Sequence, residues 1–312
     1  MISVAMTTYN GSAYIEEQLR SLLAQSVLPD EIIICDDAST DGTVELLKRL
    51  CREHPAIRLI ENPTRLGYIE NFYQAISLTT GDYVFLCDQD DIWHENKIER
   101  TLAVLKETGV DAVCTGSPLI DAEGRRIPNP KDYRINPLVK KLGPADGRRV
   151  PISFHRLIYG NISQGCTYCI TARVRERYVA LHSTRLIHDH QLMFLASLMG
   201  GTLYLHEELL DYRLHGNNAL GFAAKKVKSG ESSPTTANAD AALADTTPAD
   251  VTPADDIAAD DHSAPRHRIS RTPFMVSFLT ELAGVVRVPH RAYYQLLYWL
   301  RIPYLGSKLR GF

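Results

Sequence analysis

Three carboxylates, Asp88, Asp90 and Asp91, fall within four residues at the end of the stretch Tyr83–Trp93 (YVFLCDQDDIW). Carboxylates this close repel one another unless a cation or hydrogen-bond donors compensate them. Hard divalent cations favour such oxygen ligands, and Mg2+ typically uses one or two carboxylates together with substrate phosphates. Tyr83–Cys87 is a short apolar run preceded by Thr79-Thr80-Gly81-Asp82, the pattern of a strand buried on both faces of a parallel sheet. Acids just past the C-terminal end of such a strand stand where open α/β sheets bind their ligands. A solvated acidic turn is the plain alternative, and the buried strand leading straight into the acids argues against it. The stretch is read as a metal–phosphate site.

A second acidic loop follows the run Glu31–Cys35 and begins at Asp36-Asp37. Counted from Asp37 it starts like a calcium-binding loop, but its twelfth position is Lys48, so the bidentate glutamate is missing and calcium is rejected. A carboxylate at such a strand end can instead hydrogen-bond a ribose or base. Further on, His188-Asp189-His190 opens an apolar helix. Two readings of Asp189 stand side by side: an N-cap favoured by the helix dipole, or a general base. Adjacent histidines rarely converge on one ion. His215, in a Gly/Asn turn, is read as a metal or phosphate contact against the commoner surface histidine. Cys166 and Cys169 share a C-x-x-C spacing, but with no second pair they read as packing residues.

The elements that must position these groups alternate strand and helix. Strands are expected at 2–7, 31–35, 57–60, 83–87 and 112–115, with amphipathic helices between them and Asp41 capping the second. This spacing predicts a mostly parallel sheet with right-handed crossovers. No G-x-G-x-x-G follows the first strand and no P-loop motif occurs, which disfavours dinucleotide and P-loop readings. A hairpin is expected over 119–127, a basic solvated loop over 128–151, a strand over 162–171 with a helix after it to Tyr178, and a strand at 202–205. From about Ala223 the chain turns to Ala, Asp, Thr and Pro with few large apolar residues, so 223–265 is expected to be a disordered acidic linker. Residues 266–312 set eight arginines and lysines, with one acid, among aromatic and aliphatic residues, which suits interfacial helices on anionic lipid or docking onto the first domain.

The net charge of −3 shows no basic signature, so nucleic acid is not an expected partner. Six scattered cysteines, several inside apolar runs, fit buried residues in a reducing compartment. Met1 leads straight into a strand without a signal-peptide pattern, and no apolar run reaches the roughly 18–20 residues of a spanning helix. The expected location is the cytoplasm, at the inner face of the membrane.

Several stretches together resemble glycosyltransferase family 2, inverting enzymes of the GT-A fold. They are Thr7–Gly11 (TTYNG), Asp36–Thr43 (DDASTDGT), Asn62–Gly67 (NPTRLG), Asp88–Trp93 (DQDDIW) and Gly165-Cys166-Thr167. The DQDDIW version is similar to a branch assigned as rhamnosyltransferases of bacterial surface polysaccharides. The resemblance implies that Thr8 and Tyr9 border the nucleotide, Asp37 contacts a pyrimidine base, and Arg65 and Asp88 contact the donor. It places Asp90 and His215 at a Mg2+ or Mn2+ ion, Asp91 and Trp93 on the acceptor side, and Asp189 as the base. His190-Gln191 after Asp189 departs from the family's usual acid-plus-tryptophan pattern.

The expected protein is therefore an α/β, GT-A domain over 1–222 with a C-terminal helical appendage. It would move a sugar, L-rhamnose from dTDP-rhamnose, onto a lipid-linked or growing polysaccharide acceptor. A UDP-hexose donor (glucose, galactose or N-acetylglucosamine) is the alternative, and a non-catalytic membrane-surface scaffold is the alternative of another class.

Overall fold

A computed structural model describes residues 1–129, 137–157, 161–182, 187–216 and 218. The chain begins β1 (Ile2–Thr8), α1 (Ile15–Leu23), β2 (Glu31–Asp36), α2 (Thr43–Glu53), β3 (Ile57–Glu61), α3 (Tyr68–Ser77) and β4 (Tyr83–Cys87). It continues through β5 (Ile92–Trp93), α4 (Lys97–Thr108), β6 (Ala112–Gly116), β7 (Leu119–Ile120), β8 (Arg126–Ile127), α5 (Pro137–Leu142), β9 (Arg149–Pro151) and α6 (Phe154–Leu157). After a 3-10 turn at Gly165–Thr167 come β10 (Cys169–Thr171), α7 (Ala172–Ala180), α8 (His188–Leu198), β11 (Thr202–Glu208) and β12 (Leu210–Arg213).

Eight strands form one sheet in the order β3-β2-β1-β4-β10-β6-β11-β9. β3, β2, β1 and β4 pair in parallel, as do β6 and β11. Successive side chains of a strand point to opposite faces. Val4, Met6, Ile32, Ile34, Phe85 and Cys87 therefore fill one core layer, while Ala5, Ile33, Cys35, Val84 and Leu86 fill the other. Helices cover both layers, so these strands read as unbroken apolar runs and the sequence expectation holds.

Departures have local causes. β10 runs antiparallel between β4 and β6, and the expected strand over 162–171 is reduced to Cys169–Thr171 because 165–167 coil into the 3-10 turn. The expected solvated loop at 128–151 ends in a strand, β9, paired with β11. Asp41 is not the cap of α2; Gly42 holds that place at φ +93°, and Asp41 accepts the Thr43 amide instead. Asp189 is likewise not a cap: Ile187 is, and Asp189 lies in the first turn of α8. A smaller sheet, β5-β12-β7-β8, carries the expected hairpin and closes over the end of β4. Among the described residues no helix is long and apolar enough to cross a membrane. The expected linker at 223–265 and basic helices at 266–312 lie outside the described residues.

Candidate active site

The C-terminal ends of β1, β2 and β4 bring three loops together. After β2, Asp36 accepts the Thr8 hydroxyl at 2.6 Å and both the amide and hydroxyl of Ser39, at 2.8 and 2.6 Å. Thr8 is buried by this tie. Asp37, 3% exposed, accepts the amides of Leu66 at 2.6 Å and Gly67 at 2.9 Å, with Asn62 Nδ2 at 3.4 Å. It thereby pins the 62–67 loop at the start of α3, and a direct contact to a base would have to use its remaining lone pairs. Arg65 stacks its guanidinium 3.9 Å from the centre of the Tyr9 ring, at the exposed rim of the cleft. Gln89 joins the first and third loops: its Oε1 accepts the Tyr9 amide at 2.8 Å and its Nε2 donates to the Tyr9 carbonyl at 3.1 Å. A Cβ at residue 11 would collide with the Gln89 carboxamide, so Gly11 is required for this approach.

The acids after β4 are held less completely. Burial, together with the charges of Asp90 and Asp189, raises Asp88 to about 7. Burial and the charges of Asp90 and Asp88 push Asp91, 1% exposed, well above the usual carboxylate range. Asp91 accepts the Arg213 amide at 3.1 Å on Oδ1, its Oδ2 is buried without a hydrogen-bond partner, and the Cys166 thiol, a weak donor, lies beside the carboxyl. Asp88, Asp91 and Cys166 offer ligand atoms within 4.8 Å of one another. Asp90 pairs with His215, Oδ2 to Nε2 at 2.7 Å, and Asn218 Nδ2 lies 3.3 Å from the same oxygen. The His215 ring packs 4.8 Å from Tyr14. The structure thus brings together the two residues expected at the metal. The Asp90 carboxylate oxygen suits Mg2+ or Mn2+, the ion that the resemblance implies, while the His215 imidazole is a softer donor that holds Asp90 in place.

Asp189 reaches the same region from α8. Burial raises its carboxyl to about 6, and its charge is felt at Asp88. It accepts the His190 amide at 2.6 Å. Next to it, burial lowers His188 to about 3, so that imidazole is neutral, stacked 3.9 Å from Phe72. His190 points away to the Leu157 carbonyl at 2.5 Å, so the two histidines do not converge on one ion. The backbone of Gly165 abuts Asp189: a Cβ there would lie 3.2 Å from Asp189 Cβ and 3.4 Å from its Oδ2.

Trp93, expected on the acceptor side, is 3% exposed and packs against Phe85, with ring centres 5.7 Å apart. Three groups were missed in the sequence. Gln89 had no signal beyond its place in the acidic motif. Arg213 is 1% exposed and holds the acid loop, donating to the Asp90 carbonyl at 2.7 Å, the Ala122 carbonyl at 2.9 Å and Glu17 at 2.6 Å. Lys97, fully buried, lies beneath the acids.

A family model described as glycosyl transferase family 2 matches residues 3–173. The chain belongs to glycosyltransferase family 2. The matched residues carry Thr8, Tyr9, Asp37, Arg65 and the three acids after β4; Asp189 and His215 lie beyond them. The chain is 37% identical over 105 residues to the dTDP-rhamnosyl transferase RfbG of Shigella flexneri, covering 32% of this chain and 36% of that protein. It is 28% identical over 222 residues to the teichuronic acid biosynthesis glycosyltransferase TuaG of Bacillus subtilis, covering 70% of this chain and 81% of TuaG. EpsE of the same organism is 35% identical over 127 residues, 40% of this chain and 46% of EpsE. The chain thus spans less than half the length of EpsE and of RfbG. Among solved structures, the 1–349 fragment of S. aureus TarS with UDP-GlcNAc superposes with a TM-score of 0.54 at 19% identity, covering 70% of this chain and 59% of that one. The family 2 fold, GT-A, is therefore the fold of this domain.

Proposed function

We propose that the chain is a metal-dependent, inverting glycosyltransferase that moves L-rhamnose from dTDP-rhamnose onto a lipid-linked or growing surface-polysaccharide acceptor. The observation that carries this reading is the meeting, at one sheet edge, of the Asp90–His215 pair with Asp189, a carboxyl raised to about 6. The relatives RfbG and TuaG, named for rhamnosyl transfer and for teichuronic acid biosynthesis, support the donor and the polymer class.

In this mechanism Asp189 takes the proton of the acceptor hydroxyl, and the resulting oxygen attacks the anomeric carbon. The carbon–oxygen bond to the nucleoside diphosphate breaks on the opposite face, and the configuration inverts. A base so placed contributes roughly 10^2–10^4-fold. Tyr9 and Arg65 line the nucleotide side, Asp37 shapes it by holding the 62–67 loop, and Asp88 faces the donor sugar. Asp91 supports the acceptor side from below. A divalent cation at Asp90 and His215 would neutralise the charge that builds on the leaving diphosphate. The basic and aromatic sequence of 266–312 supports a place at the cytoplasmic membrane face.

The test is calorimetry with dTDP-rhamnose, UDP-glucose, UDP-galactose, UDP-N-acetylglucosamine and GDP-mannose, with and without Mn2+. Metal-dependent binding of dTDP-rhamnose alone is the expected result. Binding of a UDP-hexose alone would reassign the donor. Silence across the panel, with free nucleoside diphosphates silent too, would leave a scaffold.

A further inference from the structure

Lys97 opens α4, where a helix dipole disfavours a cation, and its side chain is fully buried. The ammonium donates to the Cys166 carbonyl at 3.2 Å and lies 4.6 Å from the centre of the Trp93 ring. Among the described residues it makes no ion pair. Besides one carbonyl and a ring face the buried ammonium feels the charge of Asp91, but no ion pair repays its desolvation among the described residues, so a hydrocarbon of the same shape should cost the fold little there. What the ammonium holds is the middle of the Gly165–Thr167 turn. That turn faces two ways: the Cys166 thiol lies beside the carboxylates of Asp88 and Asp91, and the Gly165 backbone lies against Asp189.

We infer that Lys97 is a positioning residue for the transfer: its buried ammonium fixes the Gly165–Thr167 turn, the wall shared by the donor-side acids and Asp189. The inference rests on the transferase reading above. The turn's own hydrogen bonds are local, Thr167 Oγ1 to the Gln164 carbonyl at 2.7 Å and the Tyr168 amide to the Gly165 carbonyl at 2.9 Å. They set its shape, and Lys97 ties that shape to α4. A shift of the turn moves the wall against Asp189 while leaving Tyr9, Asp37 and Arg65 in place, because those sit on other loops.

The test uses the full chain and compares Lys97→Met with Lys97→Gln, which keeps an N–H for the Cys166 carbonyl without the charge. Thermal melting, calorimetry of dTDP and UDP with Mn2+, and nucleotide release from dTDP-rhamnose and UDP-N-acetylglucosamine are read in parallel. Lys97→Met is expected to melt at or above the wild-type temperature and to bind the diphosphates within about threefold. Its kcat should fall at least tenfold with donor KM little changed, and Lys97→Gln should recover part of it. Gly165→Ala presses on Asp189 from the same wall and should lower kcat in the same selective way. The double variant Lys97→Met/Gly165→Ala should be no worse than the poorer single one, since both act through one contact. A folded Lys97→Met protein with wild-type kcat overturns the inference. Should Lys97→Met not fold, Gly165→Ala decides, and unchanged kcat there overturns it equally. A wild-type protein that neither binds the diphosphates nor releases nucleotide overturns the transferase reading itself, and this inference with it.

Discussion

At the end of β2, Asp36 and Asp37 accept hydrogen bonds from hydroxyls and backbone amides, five of them at 2.6–2.9 Å. At the end of β4, and across from it on α8, Asp91 is buried and Asp88 and Asp189 are half-buried; fewer backbone amides and hydroxyls reach them, and all three carboxyls are raised. Residue type is the same in both sets, and Asp88 follows its strand as Asp37 does; the supply of donors differs. Where donors saturate a carboxylate it becomes a fastener for loops. Where burial and like charge outrun the donors it keeps a proton affinity suited to chemistry.

Ways to break this contrast run from the poised set to the saturated one. Asp90→Asn removes one of the two groups at the proposed metal position and is expected to reduce transfer to background while the melting temperature holds. A well-folded Asp90→Asn protein with near wild-type turnover would sink the metal assignment. Asp189→Asn should lower kcat by about 10^2–10^4-fold, the usual contribution of a positioned base. The pH–rate profile sharpens this further. Asp189 accepts a proton only when ionised, so kcat should fall on the acid side of about pH 6, and a limb near pH 4 would contradict the burial argument. The stability sign follows from the same shift. Between about 4 and 6 the folded state holds a proton that the unfolded chain has lost, so stability declines as pH rises through that window. Asp189→Asn should make that decline shallower, leaving the share of Asp88 and Asp91, as urea titrations of both proteins at pH 4 and pH 7 would show.

Asp37→Asn belongs to the saturated set. It sets an amide group against one of the two backbone amides, and should cost about 1–3 kcal/mol in urea unfolding. Smallest is Arg65→Ala, which removes an exposed cation–ring contact of about 0.5–1 kcal/mol and should raise donor KM only a few-fold.

Much of this contrast was legible in the sequence. The strand runs at 31–35 and 83–87 are apolar without alternation because both faces are covered, and that pattern names the sheet edge where the acids must lie. What pattern reading lacks is the count of donors around each acid. Asp37 and Asp88 look alike in sequence, and only the fold shows the Leu66 and Gly67 amides arriving 29 and 30 residues later at the first of them. Lys97 opens a helix, a position that reads as solvated, and its burial comes from long-range packing under the Gly165–Thr167 turn. Trp93 ends the acidic motif, and only the fold shows that a two-residue strand, β5, turns it into the core. β9 is three residues long, too short for any periodicity to announce it.

The most direct measurement crosses the two sets: urea stability and donor turnover for Asp37→Asn and Asp189→Asn, side by side at pH 8. The account predicts that Asp37→Asn loses stability and keeps most of its kcat, while Asp189→Asn keeps or gains stability and loses its kcat. The reverse pattern, a destabilised Asp189→Asn that still turns over beside a stable and inactive Asp37→Asn, would contradict it.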